Sequence, residues 1–123
     1  MIVLLTMIAL PVLADDRFDA LAQIETGRND NPRTMDVSRF GISPPVWKQY
    51  AHGLSLSAAT NPFTALNVAH LVMVDRVDQF VKTHQKQPSD QQWYLLWFRP
   101  AHVDQPNKSE QATAERFANL CRP

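Results

Sequence analysis

Apolar side chains recur along this chain at helical steps from just after its first charged residues. Phe18, Leu21 and Ala22 stand at i, i+3 and i+4, the spacing that lines one face of a helix, and Glu25 at i+7 continues the same stripe. Asp16 suits the N-cap, with Asp19 at N3 favouring the positive end, so the pattern predicts a helix from Arg17 to about Thr26, ended by Gly27. From Arg28 to Ser43 the chain has Asn29, Asp30, Asn31, Pro32 and Gly41 but no apolar period, which predicts an irregular loop or at most a small hairpin. Pro44 and Pro45 pre-set the first turn of a short helix through about Ala51, with Val46, Trp47 and Tyr50 spaced to pack and His52-Gly53 as its stop.

Asn61 and Pro62 open the longest predicted helix. Phe63, Leu66, Met73, Val77 and Phe80 form its stripe, widened by Ala69, Val72 and Val81. Nearly every residue from Leu66 to Val74 is apolar, as in a segment wrapped by neighbours on most sides. Ser89 and Gln92 make a capping box in front of Trp93-Tyr94-Leu95-Leu96-Trp97-Phe98, and Arg99-Pro100 stops the run. Aromatic content alone would also allow a strand here; the capping box selects a helix. A last helix is expected from about Ser109, with Thr113, Phe117, Leu120 and Cys121 on its packed side. The pattern predicts an all-α fold.

The 123 residues suit one core and no internal domain boundary. Lys plus Arg balance Asp plus Glu at 12 each, with no run of either sign longer than Asp15-Asp16, which gives no reason to expect nucleic acid or an anionic membrane as partner. The only cysteine, Cys121, excludes an intramolecular disulfide and any zinc site built from several cysteines. Residues 1–14 are apolar and uncharged but shorter than the ~20 residues that span a bilayer. With Pro11 breaking the run and Val12-Leu13-Ala14 as a small-residue cleavage pattern, they read as a signal peptide, although no positive n-region precedes the run. Export to the periplasm or the extracellular space is expected, or a membrane-proximal location if the segment is retained.

Glu25 is the residue with the clearest chemical promise. A carboxyl set against apolar side chains near the negative end of a helix loses stabilisation of its charged form and is then poised to donate a proton near neutral pH; the same spacing also allows an acid at the margin of the stripe with its head in water. His70 extends the stripe of Leu66 and Met73 without partners at ligand spacing, so it is read as a packed histidine, and no metal or cofactor is expected. Asp30 reads as a turn former between Asn29 and Asn31, Asp36 as a solvated loop acid, and Trp47 as core.

Two segments carry a family resemblance. Ala20-Leu21-Ala22-Gln23-Ile24-Glu25-Thr26-Gly27 is similar to the helix-borne glutamate, small residue and glycine of the lysozyme-like superfamily, in particular bacterial lytic transglycosylases. Ser38-Arg39-Phe40-Gly41-Ile42-Ser43-Pro44-Pro45-Val46-Trp47 resembles the segment that follows that acid and leads into a short helix. Asn61-Pro62-Phe63 and the stretch from Tyr94 to Pro100 continue the correspondence over most of residues 15–123.

The resemblance implies a lysozyme-like helical domain whose Glu25 is the single acid/base, protonating the glycosidic oxygen between the amino sugars of peptidoglycan. Ser38, Phe40, Tyr94 and Trp97 would be its substrate-binding residues, with Tyr94 and Trp97 stacking on sugar faces. The expected partner is the glycan strand, met by a monomer, with an envelope protein as a further candidate. Gly41 stands where relatives commonly carry glutamine, and Phe98 where they carry asparagine. The alternative reading is therefore the same fold as a catalytically weak or inactive protein for glycan binding or envelope assembly.

Overall fold

The computed structural model describes residues 15–28 and 40–122. They form an all-α fold: α1 (Asp15–Arg28), α2 (Pro44–Tyr50), α3 (Pro62–His84), α4 (Asp90–Phe98) and α5 (Lys108–Cys121), with 3₁₀ turns at Leu56–Thr60 and Pro100–His102. Residues 29–39, which hold most of the expected loop or hairpin, and the N-terminal segment 1–14 lie outside the described residues.

Local chemistry explains most boundaries. Asn61 Oδ1 accepts from the backbone N–H groups of Phe63 and Thr64 at 2.9 and 3.1 Å, and Pro62 fills a position whose missing N–H costs nothing, so α3 starts where the sequence predicts. The Ser89–Gln92 capping box forms reciprocally at 3.2 and 2.9 Å. At the other end of α4, Arg76 of α3 donates from Nη1 to the carbonyls of Leu96 and Trp97, both at 2.9 Å. That guanidinium faces the negative end of the α4 dipole and satisfies carbonyls with no partner inside the helix. Burial lowers its pKa below the usual arginine value.

Two boundaries differ from the sequence reading. The first helix runs from Asp15 to Arg28, so Asp16 and Gly27 lie within it rather than bounding it. The last helix begins at Lys108, because Asn107 rather than a later residue is the cap. Asn107 Oδ1 accepts from Glu110 N–H at 2.8 Å while Asn107 N–H donates to Glu110 Oε1 at 2.9 Å, a second capping box.

The core is an aromatic stack at the meeting of α1, α4 and α5. Trp93 and Phe117 lie face to face, with ring centroids 5.4 Å apart and planes 7° apart, and Phe18 meets Trp93 edge-on at 5.2 Å. Arg17 covers the same indole at 5.6 Å while holding Asp90 at 2.8 Å, which ties α1 to the first turn of α4. Helix α4 packs on both α3 and α5, α1 packs on α5, and α2 packs on α3. Trp47 is buried and donates from Nε1 towards the carbonyls of Leu54 and Ser55, each at 3.2 Å. Tyr50 donates to Asp75 Oδ2 at 2.6 Å, joining α2 to α3.

The packed faces of α3 and α5 are narrower than their apolar content suggests. Phe63 is 77 % exposed, and Leu71 and Val74 also face out, because Ala65, Val68, Ala69, Val72, Met73 and Phe80 carry the buried face of α3. On α5 the buried positions are Glu110, Ala114, Phe117 and Ala118, and Leu120 faces out. In both helices alanines are among the fully buried positions, where larger side chains would hold neighbours apart.

Glu110 is buried by its own cap. Its carboxylate accepts the Asn107 amide and lies 2.9 Å from His102 Nδ1 through both oxygens, with Arg99 Nε 3.7 Å away. The Asn107 amide first, and His102 second, hold its pKa below the ordinary carboxylate value. These partners are lost on unfolding, so the unfolded chain takes up that proton at higher pH than the folded one. The stabilisation is therefore complete above the unfolded value of about 4.5 and disappears as pH falls through the lower folded value. The difference in urea stability between the wild type and Glu110→Gln is expected to be constant near neutrality and to shrink on acidification; a difference unchanged into acid would contradict this.

Candidate functional site

Glu25 is 5 % exposed. It occupies the last turn of α1 beyond the buried side chains of Phe18, Leu21, Ala22 and Ile24, so the i+7 acid does continue the apolar stripe into the interior. Opposite it, Phe40 and Ile42 are buried at 2 and 1 %, and these two apolar anchors draw the intervening backbone down onto the end of α1. Gly41 lies between them with φ +68°, a left-handed conformation that side chains disfavour.

The approach is close enough to exclude a side chain at position 41. A Cβ built on Gly41 would overlap Glu25 Oε1 and lie 3.0 Å from its Cδ and 3.4 Å from its Cγ. Two independent demands, φ and space, thus select glycine here. Gly41→Ala is expected to cost about 2–3 kcal/mol, part from the backbone and part from displacing the carboxyl. Glu25→Ala should relieve the second part only, so a denaturant double-mutant cycle is expected to show coupling. Strict additivity would mean that the two residues do not touch.

The other residues expected at the site are distributed differently. Ser38, Asp30 and Asp36 lie outside the described residues. Phe40 packs edge-on against Phe18, with centroids 6.0 Å apart, and serves the core beside Glu25. Tyr94 is fully buried and Trp97 is 8 % exposed, which corrects the expectation that their rings face a groove. Tyr94 packs between Phe98 and Phe117, at centroid distances of 5.7 and 5.4 Å, because α5 covers the side of α4 that would otherwise be open. Little ring surface remains there for a sugar. Phe98, in the position of the expected asparagine, is half-buried and spends its ring on Tyr94.

His70 stacks on Phe18 at 5.6 Å, a packed histidine as its spacing suggests. Among the described residues no group of three His, Cys, Asp or Glu side chains is placed to hold a metal ion, and no helix is long and apolar enough to cross a membrane. The buried acid that sequence reasoning missed is Glu110. Its signal was present in Asn107-Lys108-Ser109-Glu110, a capping box whose first residue is asparagine. No family model, curated protein or solved structure matches the chain.

Proposed function

We propose that the chain is an exported lysozyme-like domain that cleaves the glycan strands of peptidoglycan, with Glu25 as its acid/base. The observation that carries this reading is a buried acid, 5 % exposed, at the end of an apolar helix stripe and against a glycine turn. Apolar surroundings favour the neutral form of a carboxyl, and a protonated carboxyl is what the leaving oxygen of a glycosidic bond requires. In this scheme Glu25 gives its proton to the bridging oxygen as the anomeric carbon takes on oxocarbenium character. The resulting carboxylate then accepts a proton, either from the sugar C6 hydroxyl as its oxygen closes a 1,6-anhydro ring, or from water as it adds to the anomeric carbon. Sugar stacking on Tyr94 and Trp97 has no part in it.

One contact favours a second reading, glycan binding or envelope assembly without cleavage. Gly41 is pressed onto the Glu25 carboxyl at a position where the resemblance calls for a glutamine amide, and Phe98 replaces the other expected amide. Both losses remove groups that would hold a substrate against the acid. Digestion of purified peptidoglycan, with the released ends identified by mass spectrometry, separates the readings. Anhydro ends report transglycosylation and reducing ends hydrolysis. Sedimentation with intact sacculi without released ends supports the binding protein, and neither binding nor cleavage sinks both.

A further inference from the structure

Five of the six large apolar side chains exposed among the described residues, Leu54, Leu56, Phe63, Leu71 and Val74, come from one stretch of the sequence. From Val37 to Val74 that stretch contains Arg39 and Lys48 but no aspartate or glutamate, so the balance of 12 acids against 12 bases conceals a long segment without negative charge. Leu54, Leu56 and Phe63, exposed by 50, 46 and 77 %, stand in the short connection from the end of α2 into the first turn of α3. That connection is pinned. Its 3₁₀ turn packs on both α2 and α3, the buried Trp47 holds the carbonyls of Leu54 and Ser55, and Asn61 holds the N–H of Phe63. Single exposed apolar residues are ordinary; three on one pinned connection need a reason.

We propose that this connection docks the chain on the surface of an anionic phospholipid bilayer, with Leu54, Leu56 and Phe63 entering the interface and no part of the described fold crossing it. Charge selects that occupant. Lys48 is exposed in the last turn of α2, just before the apolar tips. The first turn of α3 has no acid, so the positive end of that 23-residue helix is offset by no carboxylate of its own. A surface of phosphates therefore meets apolar side chains, a cation and a helix N-terminus, and the segment offers no carboxylate to repel it. The tips stand on a turn and a helix end, the form that suits side chains entering a fluid interface. The open groove of about 620 Å³ beside α3 is walled by other residues, Asp75 and Asp78 among them, and takes no part. The charge totals gave no reason to expect a lipid partner; the distribution of the charges does. The contact does not depend on the Glu25 chemistry.

The full chain is expected to float with vesicles of phosphatidylcholine and phosphatidylglycerol mixed at about 3:1, and to bind at least about fivefold more weakly to phosphatidylcholine alone or in about 0.5 M NaCl. The triple variant Leu54→Ser, Leu56→Ser, Phe63→Ser, checked by circular dichroism for an unchanged fold, should lose at least about tenfold in binding. Residues 1–14 are common to both chains, so any contribution of theirs cancels in that comparison. In a Cys121→Ser background, an environment-sensitive fluorophore on Leu56→Cys should shift to the blue on vesicles, and one on Leu120→Cys, exposed on α5, should not. No flotation, flotation indifferent to the triple variant or to lipid charge, or a label at position 56 that stays in water would each overturn the proposal. So would self-association without lipid that the triple variant abolishes, which would give this surface to a second copy.

Discussion

Glu25→Gln is expected to release glycan ends about 10²–10⁴-fold more slowly than the wild type, the range lost when a positioned general acid is removed. Glutamine keeps the length and planarity of the side chain, so the close seat against Gly41 is preserved and unfolding should shift little. What disappears is the transferable proton: an amide N–H does not protonate a departing glycosidic oxygen. The comparison therefore isolates chemistry from packing, whereas Glu25→Ala would also open a cavity beneath Gly41. The measurement is the rate of end release from purified peptidoglycan, with melting temperatures of both proteins recorded alongside. A variant as active as the wild type would remove Glu25 from the mechanism, and two equally inactive proteins would leave the binding reading.

The second large effect is on stability. Phe117→Ala is expected to cost about 3–5 kcal/mol, a substantial share of the 5–15 kcal/mol that holds a domain of this size. Phe117 is fully buried, lies flat against Trp93 and tilts onto Tyr94, so its ring is the main body by which α5 grips α4. Alanine would leave a void bordered by two large rings that cannot collapse into it without losing their own contacts. Leu120→Ala, three residues along the same helix but 43 % exposed, should stay within about 0.5 kcal/mol of the wild type. Urea unfolding of the two variants tests the contrast. Equal losses would show that α5 does not dock through Phe117.

The readable parts of the chain were those governed by neighbours in sequence. Asn61-Pro62 and Ser89 with Gln92 announced the starts of α3 and α4 because a cap is a contract between residues three apart. The Asn107–Glu110 box works by the same rule, with asparagine in place of the serine or threonine that usually opens such a box. Glu25 was legible in part for a related reason: two helical turns from Phe18, it continues the stripe, but spacing alone equally allowed its head to lie in water, and its burial came from the fold.

Periodicity could not tell which apolar face would find a neighbour. Phe63, Leu71 and Val74 are as apolar as Val68 and Val72, yet they face out, because the approach of α4 to α3 covers one side only. Tyr94 and Trp97 share a helix face that would suit a sugar groove equally well, and the docking of α5 turned that side of α4 into core. The contact between Gly41 and Glu25 lay equally beyond sequence spacing.

By itself, then, the sequence determined an all-α chain, the caps that start α3 and α4, and an acid on the apolar stripe of the first helix. These follow from hydrogen bonds and side-chain directions that operate within a few residues. Only the tertiary structure decided that Gly41 would rest on that acid, that Tyr94 and Trp97 would serve packing, and that Phe63, Leu71 and Val74 of α3 would face out. Each of those outcomes depends on which surfaces meet when segments distant in sequence exclude water together, and no local period encodes that choice.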